Sequence, residues 1–147
     1  MKNKKIAIID EDIKIVRNLE GIISAIGHDP VVVNDSLLAV ETVVQKRPDV
    51  ILMELSMPRK NGFELADEMN HALDTAKIPI IAMSRFFKVE FRFLLNLCGI
   101  HRYLRKPFFP LEVIWAIENV IEENDLMDNG RVLEPIGYVN YNIGKRY

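Results

Sequence analysis

Short apolar segments that stop at a polar residue restrict the fold of this chain more than any other feature. Residues 6–9 are Ile-Ala-Ile-Ile and stop at Asp10, and residues 50–53 are Val-Ile-Leu-Met and stop at Glu54. Three further candidate strands lie at residues 31–33, 78–83 and 103–105. Uninterrupted apolar segments of this length are typical of parallel strands that are buried on both faces. The chain is therefore predicted to form five such strands.

Segments with helical periodicity separate the predicted strands. Ile13, Val16 and Leu19 recur three residues apart, and apolar residues at helical spacing also follow the later strands. Gly27 is placed to end the first helix, and Pro110 is placed to begin the last one. This alternation predicts an α/β fold, a doubly wound five-stranded parallel sheet of the (βα)5 type. In such sheets ligands bind beyond the carboxyl ends of the strands, where the polar residues that stop the strands lie.

Composition and charge exclude several classes of protein. The 147 residues include 27% charged side chains and carry a net charge of −2, so no basic surface for nucleic acid is predicted. No apolar segment approaches the roughly 20 residues of a membrane-spanning helix, and no signal peptide is recognised. The single cysteine, Cys98, excludes an internal disulfide and fits a reducing compartment. The sequence predicts a cytoplasmic protein without nucleic-acid or membrane partners.

The C-terminal segment differs in composition from the rest of the chain. Residues 124–147 contain three glycines, one proline and three of the four tyrosines. We therefore predict a domain at residues 1–123 and a C-terminal tail or extension at residues 124–147. The second segment is too short for another domain. A disordered tail, a docked strand and a partner-binding peptide all remain open for it.

Several motifs fall at the predicted carboxyl edge of the sheet. They are the acidic pair Asp10 and Glu11, the segment from Glu54 through Met57-Pro58 to Gly62, then Ser84, and Lys106-Pro107-Phe108. In combination, over residues 4–123, these motifs resemble the active site of a response-regulator receiver domain from two-component signalling. The resemblance implies a flavodoxin-like fold and a cis peptide bond between Lys106 and Pro107.

The resemblance also implies a metal site. In receiver domains the residues that match Asp10 and Glu11 hold a divalent cation together with the phosphoacceptor carboxylate, here Glu54, and a backbone carbonyl, here that of Ser56. Magnesium prefers hard oxygen ligands of this kind, and a cation relieves the repulsion between carboxylates that share a pocket. Because Glu54 can instead turn to Lys106, we predict that magnesium binds only weakly.

Glu54 departs from the family pattern, which has an aspartate at the position that accepts a phosphoryl group. The extra methylene of Glu54 moves the carboxylate outward by roughly 1.3–1.5 Å, and a misplacement of about 1 Å can slow a transfer about a hundredfold. Glu54 therefore either imitates a phosphorylated aspartate, with one charge instead of nearly two, or marks a site that has lost its chemistry. Arg85 is expected to crowd the entrance or to pair with Glu54.

The same resemblance implies a switch and an interaction surface. Ser84 matches the hydroxyl that binds the phosphoryl oxygen, and Tyr103 matches the aromatic residue whose rotamer follows that hydroxyl. In receiver domains the fourth helix, fifth strand and fifth helix form the usual output or dimer surface. Six of the seven phenylalanines lie between residues 86 and 109, and the candidates for this surface are Phe86, Phe87, Phe91 and Phe109. Trp115 belongs either to this surface or to the core.

Three functions are considered for a chain with these residues. The leading one is a stand-alone, atypical receiver-like signalling module without catalytic activity, which binds a sensor kinase, another regulator or a second copy of itself. The first alternative is a phosphorylatable response regulator that accepts a phosphoryl group from a histidine kinase. The second is a flavodoxin-like flavin carrier, but its phosphate-binding loop would have to be Asp10-Glu11-Asp12, which repels phosphate.

Overall fold

The computed structural model describes residues 3–130, which form one parallel sheet covered by helices on both faces. The strands are β1 (Lys5–Ile9), β2 (Asp29–Val33), β3 (Val50–Glu54), β4 (Ile80–Ser84) and β5 (Arg102–Arg105), in the order β2-β1-β3-β4-β5. The helices are α1 (Ile13–Ala25), α2 (Ala39–Lys46), α3 (Gly62–His71), α4 (Val89–Leu97) and α5 (Pro110–Asp128), with a short 3₁₀ turn at Ser36–Leu38. The predicted α/β fold with five parallel strands is confirmed.

Successive residues of each strand face opposite sides of the sheet, and each side has its own apolar core. Ile6 and Ile8 of β1 pack with residues of α1 and α5, whereas Ala7 and Ile9 pack with residues of α2 and α3. Strands covered on both sides need apolar residues at nearly every position. This requirement explains why the strand segments lack an alternating pattern.

The order and register of the strands bring distant polar residues together. β1 and β3 are neighbours at the centre of the sheet, with Ile9 paired to Met53, so Asp10 and Glu54 follow at the same edge. Glu54 in turn pairs with Met83 of β4, the residue before Ser84. Because all strands are parallel, their carboxyl ends meet at one edge of the sheet.

Local sequence signals set the helix ends. The Asp12 side chain accepts a hydrogen bond from the Lys14 amide and caps α1, and Gly27 follows α1 with a φ of +84°. Pro110 opens α5, and the preceding Phe109 provides no side-chain cap, as expected for an apolar side chain. The Lys106–Pro107 bond is cis, as the resemblance implied.

The last helix continues past the predicted domain boundary. α5 runs to Asp128, so residues 124–128 of the predicted tail are helical. The alternatives of a disordered tail, a docked strand and a partner-binding peptide now concern residues 131–147, which lie outside the described residues. None of the helices within residues 3–130 is long and apolar enough to cross a membrane.

Gly62 fixes the start of α3 against the end of β3. A Cβ atom at Gly62 would lie 2.7 Å from the Glu54 carbonyl oxygen and 2.9 Å from the Leu55 Cα, both of them backbone atoms. We therefore expect Gly62→Ala to lower the free energy of unfolding by about 1–3 kcal/mol, measured by urea denaturation. The matched control is Gly21→Ala, because Gly21 is a residue of α1 at which an added Cβ atom would have no neighbour within 4 Å. The control should stabilise the chain by roughly 0.5–1 kcal/mol; equal effects of both substitutions would contradict this account of Gly62.

Candidate functional site

A buried lysine lies between two buried carboxylates at the carboxyl edge of the sheet. The Lys106 Nζ is 2.6 Å from Asp10 Oδ2 and 3.3 Å from Glu54 Oε2. Asp10, Glu54 and Lys106 are only 2%, 8% and 7% exposed, respectively. Lys106 directly follows β5, and its amide donates a hydrogen bond to the Ser84 carbonyl. The ends of β1, β3 and β5 therefore converge on one ammonium group.

The environment of Glu54 is unfavourable for its charge. Burial raises the pKa of Glu54, the nearby Lys106 ammonium lowers it, Asp10 raises it again, and the net pKa lies above the ordinary value of 4.5. Glu54 Oε2 is buried without a hydrogen-bond partner. The ammonium therefore attracts Glu54 electrostatically but makes its hydrogen bond to Asp10. A buried acceptor without a hydrogen bond costs free energy.

Glu54→Gln should therefore stabilise the fold at neutral pH, by about 1 kcal/mol, while Lys106 keeps its partner Asp10. A raised carboxyl pKa means that the folded state holds the proton more tightly than the unfolded state. The native chain should then lose stability relative to Glu54→Gln as the pH rises above about 4.5. Urea denaturation of both proteins between pH 4 and pH 8 measures the difference. A difference that is independent of pH would show that the environment of Glu54 does not disfavour its charge.

Glu11 is directed away from this cluster. Its Oε1 accepts hydrogen bonds from the Ser36 amide at 3.2 Å and from the Ser36 hydroxyl at 3.0 Å. The Ser36 hydroxyl in turn accepts a hydrogen bond from the Lys60 amide at 3.2 Å. This chain of contacts joins the loops that follow β1, β2 and β3. Sequence reasoning did not place Ser36 at the site, because nothing in the residues around Ser36 indicates a contact with Glu11.

The predicted metal ligands do not form a coordination set as placed. Asp10 Oδ1 accepts a hydrogen bond from the Asp12 amide, and Asp10 Oδ2 accepts one from the Lys106 ammonium. Glu11 accepts a hydrogen bond from the Ser36 hydroxyl. Ser56 is exposed. Within residues 3–130 no group of three or more His, Cys, Asp or Glu side chains is arranged to hold a metal ion. The residues as arranged therefore do not fit the divalent cation that the sequence predicted at Asp10, Glu11, Glu54 and Ser56.

The predicted switch residues lie beside the pocket. The Ser84 hydroxyl donates to the Phe86 carbonyl at 3.1 Å and accepts from the Phe86 amide at 3.2 Å, so it is engaged by the loop after β4. Tyr103 is buried, and its ring packs against Phe87 with centroids 4.7 Å apart. Arg85 is exposed, and Glu54 pairs with Lys106 instead of with Arg85.

The predicted aromatic surface is divided between packed and exposed residues. Phe86 and Phe109 are 69% and 55% exposed. Phe87 and Phe91 are partly buried, because Phe87 packs on Tyr103 and Phe91 contacts Phe63 edge to face at 5.7 Å. Phe87 and Phe91 therefore expose less surface than Phe86 and Phe109, and the part that these four residues play in an interface stays a prediction. The exposed apolar residues of the two helices include Val89, Phe93 and Leu97 on α4, with Leu111 and Trp115 on α5.

Comparison with known proteins identifies the family. The family model for the response regulator receiver domain matches residues 6–118. The chain belongs to the response regulator receiver domain family. This membership confirms the resemblance to receiver domains that the sequence motifs indicated. It favours a signalling module over the flavin carrier considered as an alternative.

Relatives of this receiver domain include longer proteins. A probable transcriptional regulator ycf27 from Cyanophora paradoxa is 30% identical over 152 aligned positions, which cover 99% of this chain and 62% of the relative. A ycf27 protein from Porphyridium aerugineum is 29% identical over 140 residues, which cover 95% of this chain and 57% of the relative. The chain thus spans little more than half the length of these curated relatives.

Solved structures show the same fold. The chemotaxis protein CheY4 of Vibrio cholerae superposes with a TM-score of 0.77 at 22% identity, covering 81% of this chain and 99% of that one. The receiver domain of the sensor histidine kinase PA1611 from Pseudomonas aeruginosa gives a TM-score of 0.75 at 23% identity. The superposition covers 82% of this chain and 99% of that one. The latter structure is described with a magnesium ion coordinated in its active-site cleft.

Proposed function

We propose that this chain is an atypical receiver-type signalling module that acts by binding a protein partner and not by catalysis. The partner is a sensor kinase, another regulator or a second copy of the chain. The observation that supports this most directly is the apolar stripe on α4. Val89, Phe93 and Leu97 are spaced four residues apart and are 78%, 68% and 67% exposed.

This stripe is unusual for a surface helix. Residues four apart lie on the same face of a helix, and the solvent face of such a helix normally carries polar residues. α5 adds Leu111 and Trp115, also four residues apart and exposed. Contiguous groups of exposed apolar side chains commonly mark interaction sites. The helices on either side of β5 therefore offer the surface through which we propose that the module binds.

Glu54 is proposed to stand at the phosphoacceptor position and to imitate phosphorylation in part. Its carboxylate lies beside Lys106, and Tyr103 is already turned inward against Phe87. The Ser84 hydroxyl, however, is held by Phe86 and not by Glu54. A group biases a two-state element only by its differential interaction with the two states. The single charge of Glu54 thus supports an incomplete but constitutive active state.

A phosphorylatable response regulator remains the second candidate. Glu54 Oε2 has no hydrogen-bond partner and lies 3.3 Å from a lysine ammonium, and a carboxylate of this kind is a chemically competent acceptor. Magnesium binding is proposed to be weak, because the carboxylates are engaged by Lys106 and Ser36. A cytoplasmic location is proposed because the single cysteine, Cys98, fits a reducing compartment. The absence of nucleic-acid contacts is proposed on the net charge of −2.

Binding measurements test the leading proposal. Sedimentation velocity over a range of concentrations detects self-association, and calorimetric titration detects complexes with sensor kinases or regulators encoded beside the chain. A defined complex that depends on the α4 stripe is expected. Absence of self-association together with absence of binding to each of those proteins would contradict the proposal.

A further inference from the structure

Every carboxylate of the pocket lies against a charged or polar group of the protein, although Glu54 Oε2 receives no hydrogen bond. Asp10 binds the Lys106 ammonium at 2.6 Å and the Asp12 amide at 2.9 Å. Glu54 lies 3.3 Å from the same ammonium. Glu11 is occupied by the amide and the hydroxyl of Ser36. The functional groups that a divalent cation would need are thus already compensated by the chain.

The charges explain why this arrangement disfavours a divalent metal ion. Asp10 and Glu54 together carry two negative charges, which is the charge that one divalent cation neutralises. Lys106, 7% exposed, supplies one positive charge between them. A divalent cation bound to the same oxygens would lie within a few ångströms of a buried ammonium, where like charges repel strongly. The ammonium and the metal would therefore compete for the same two carboxylates.

We infer that Lys106 is the resident cation of this pocket and takes the place of the divalent ion. Asp10 and Glu54 are thereby held by a side chain of the protein itself, and Glu11 is released to hold Ser36. Ser36 also accepts from the Lys60 amide, so Glu11 positions the loop after β3 and does not bind metal. This inference concerns the pocket alone and does not depend on which partner the α4 stripe binds.

Lys106→Met tests the inference, because methionine keeps an apolar chain of similar length and removes the charge. Thermal unfolding is followed with about 5 mM magnesium chloride and with sodium chloride of matched ionic strength, since only a ligand of the folded state raises the midpoint specifically. The native chain should show no specific shift. Lys106→Met should gain magnesium affinity by at least about tenfold, because two carboxylates remain without a cation.

Two matched variants complete the experiment. Lys106→Met combined with Glu54→Gln removes one of the two carboxylates and should not show the increase in magnesium affinity. Lys77→Met removes an exposed lysine outside the pocket and should behave as the native chain. A native chain stabilised by magnesium as strongly as Lys106→Met would overturn the inference.

A second measurement covers the case in which Lys106→Met does not fold. The native chain is titrated with manganese, and the broadening of its amide resonances is recorded by NMR. No selective broadening near Asp10 and Glu54 supports a pocket closed to metal. Selective broadening of those amides at submillimolar manganese would overturn the inference. Neither result depends on partner binding, so failure of the inference and failure of the proposed function are distinguishable.

Discussion

Glu54→Asp is expected to accept a phosphoryl group from acetyl phosphate about a hundredfold faster than the native chain. The substitution removes one methylene and draws the carboxylate back by roughly 1.3–1.5 Å. A displacement of about 1 Å from a reactive geometry costs about a hundredfold in rate. Arg85 is exposed and Glu54 is paired with Lys106, so no second substitution should be needed at Arg85. Intact-mass spectrometry over time, in a buffer that contains magnesium, measures the gain of one phosphoryl group.

The control for this prediction is Glu54→Gln, which keeps the length of the side chain and removes the nucleophile. It should remain unmodified under the same conditions. A native chain that gains a stable phosphoryl group as fast as Glu54→Asp would show that the longer side chain is tolerated. In that event the phosphorylatable regulator would replace the partial mimic as the better account of the site.

The fold and the edge of the sheet that carries the site were predictable from the sequence, for a physical reason. Parallel strands buried on both faces must be apolar throughout, and each such segment stops where the chain leaves the sheet. Asp10 follows β1, Glu54 ends β3, and these two strands are neighbours at the centre of the sheet, so the proximity of the two carboxylates follows from the fold class. The convergence of Lys106 on the same point follows in the same way from the end of β5.

The direction of individual side chains was not predictable. Glu11 turns to Ser36, a residue 25 positions away, and nothing at Glu11 itself indicates that partner. Phe91 and Phe93 lie on different sides of α4: Phe91 contacts Phe63 and is partly buried, whereas Phe93 is exposed. Such choices depend on the final rotation of a helix against its neighbours, which local sequence does not specify.

The Phe93→Ser substitution should weaken binding of the partner by at least about thirtyfold, the loss typical of an aromatic hot-spot residue. Phe93 is 68% exposed and lies between Val89 and Leu97 on the apolar stripe of α4. Its replacement therefore removes apolar contact area while leaving the core intact. The affinity is measured by calorimetric titration, or by sedimentation if the partner is a second copy. Leu73→Ser is the matched control, because Leu73 is 98% exposed and follows α3 instead of lying on α4; it should bind as the native chain does.

Glu54→Gln, measured in the same titration, tests whether Glu54 regulates partner binding at the α4 stripe. If the buried charge of Glu54 biases the module towards its active state, removing that charge should weaken binding by a smaller factor than Phe93→Ser. The factor is limited because Glu54 supplies one charge and does not bind the Ser84 hydroxyl, so its differential effect on the two states is partial. If Phe93→Ser abolishes binding while Glu54→Gln leaves it unchanged, α4 is the interaction surface and Glu54 is not a mimic. If Phe93→Ser binds as well as the native chain, the partner uses another face, and the exposed apolar stripe has no part in the interaction.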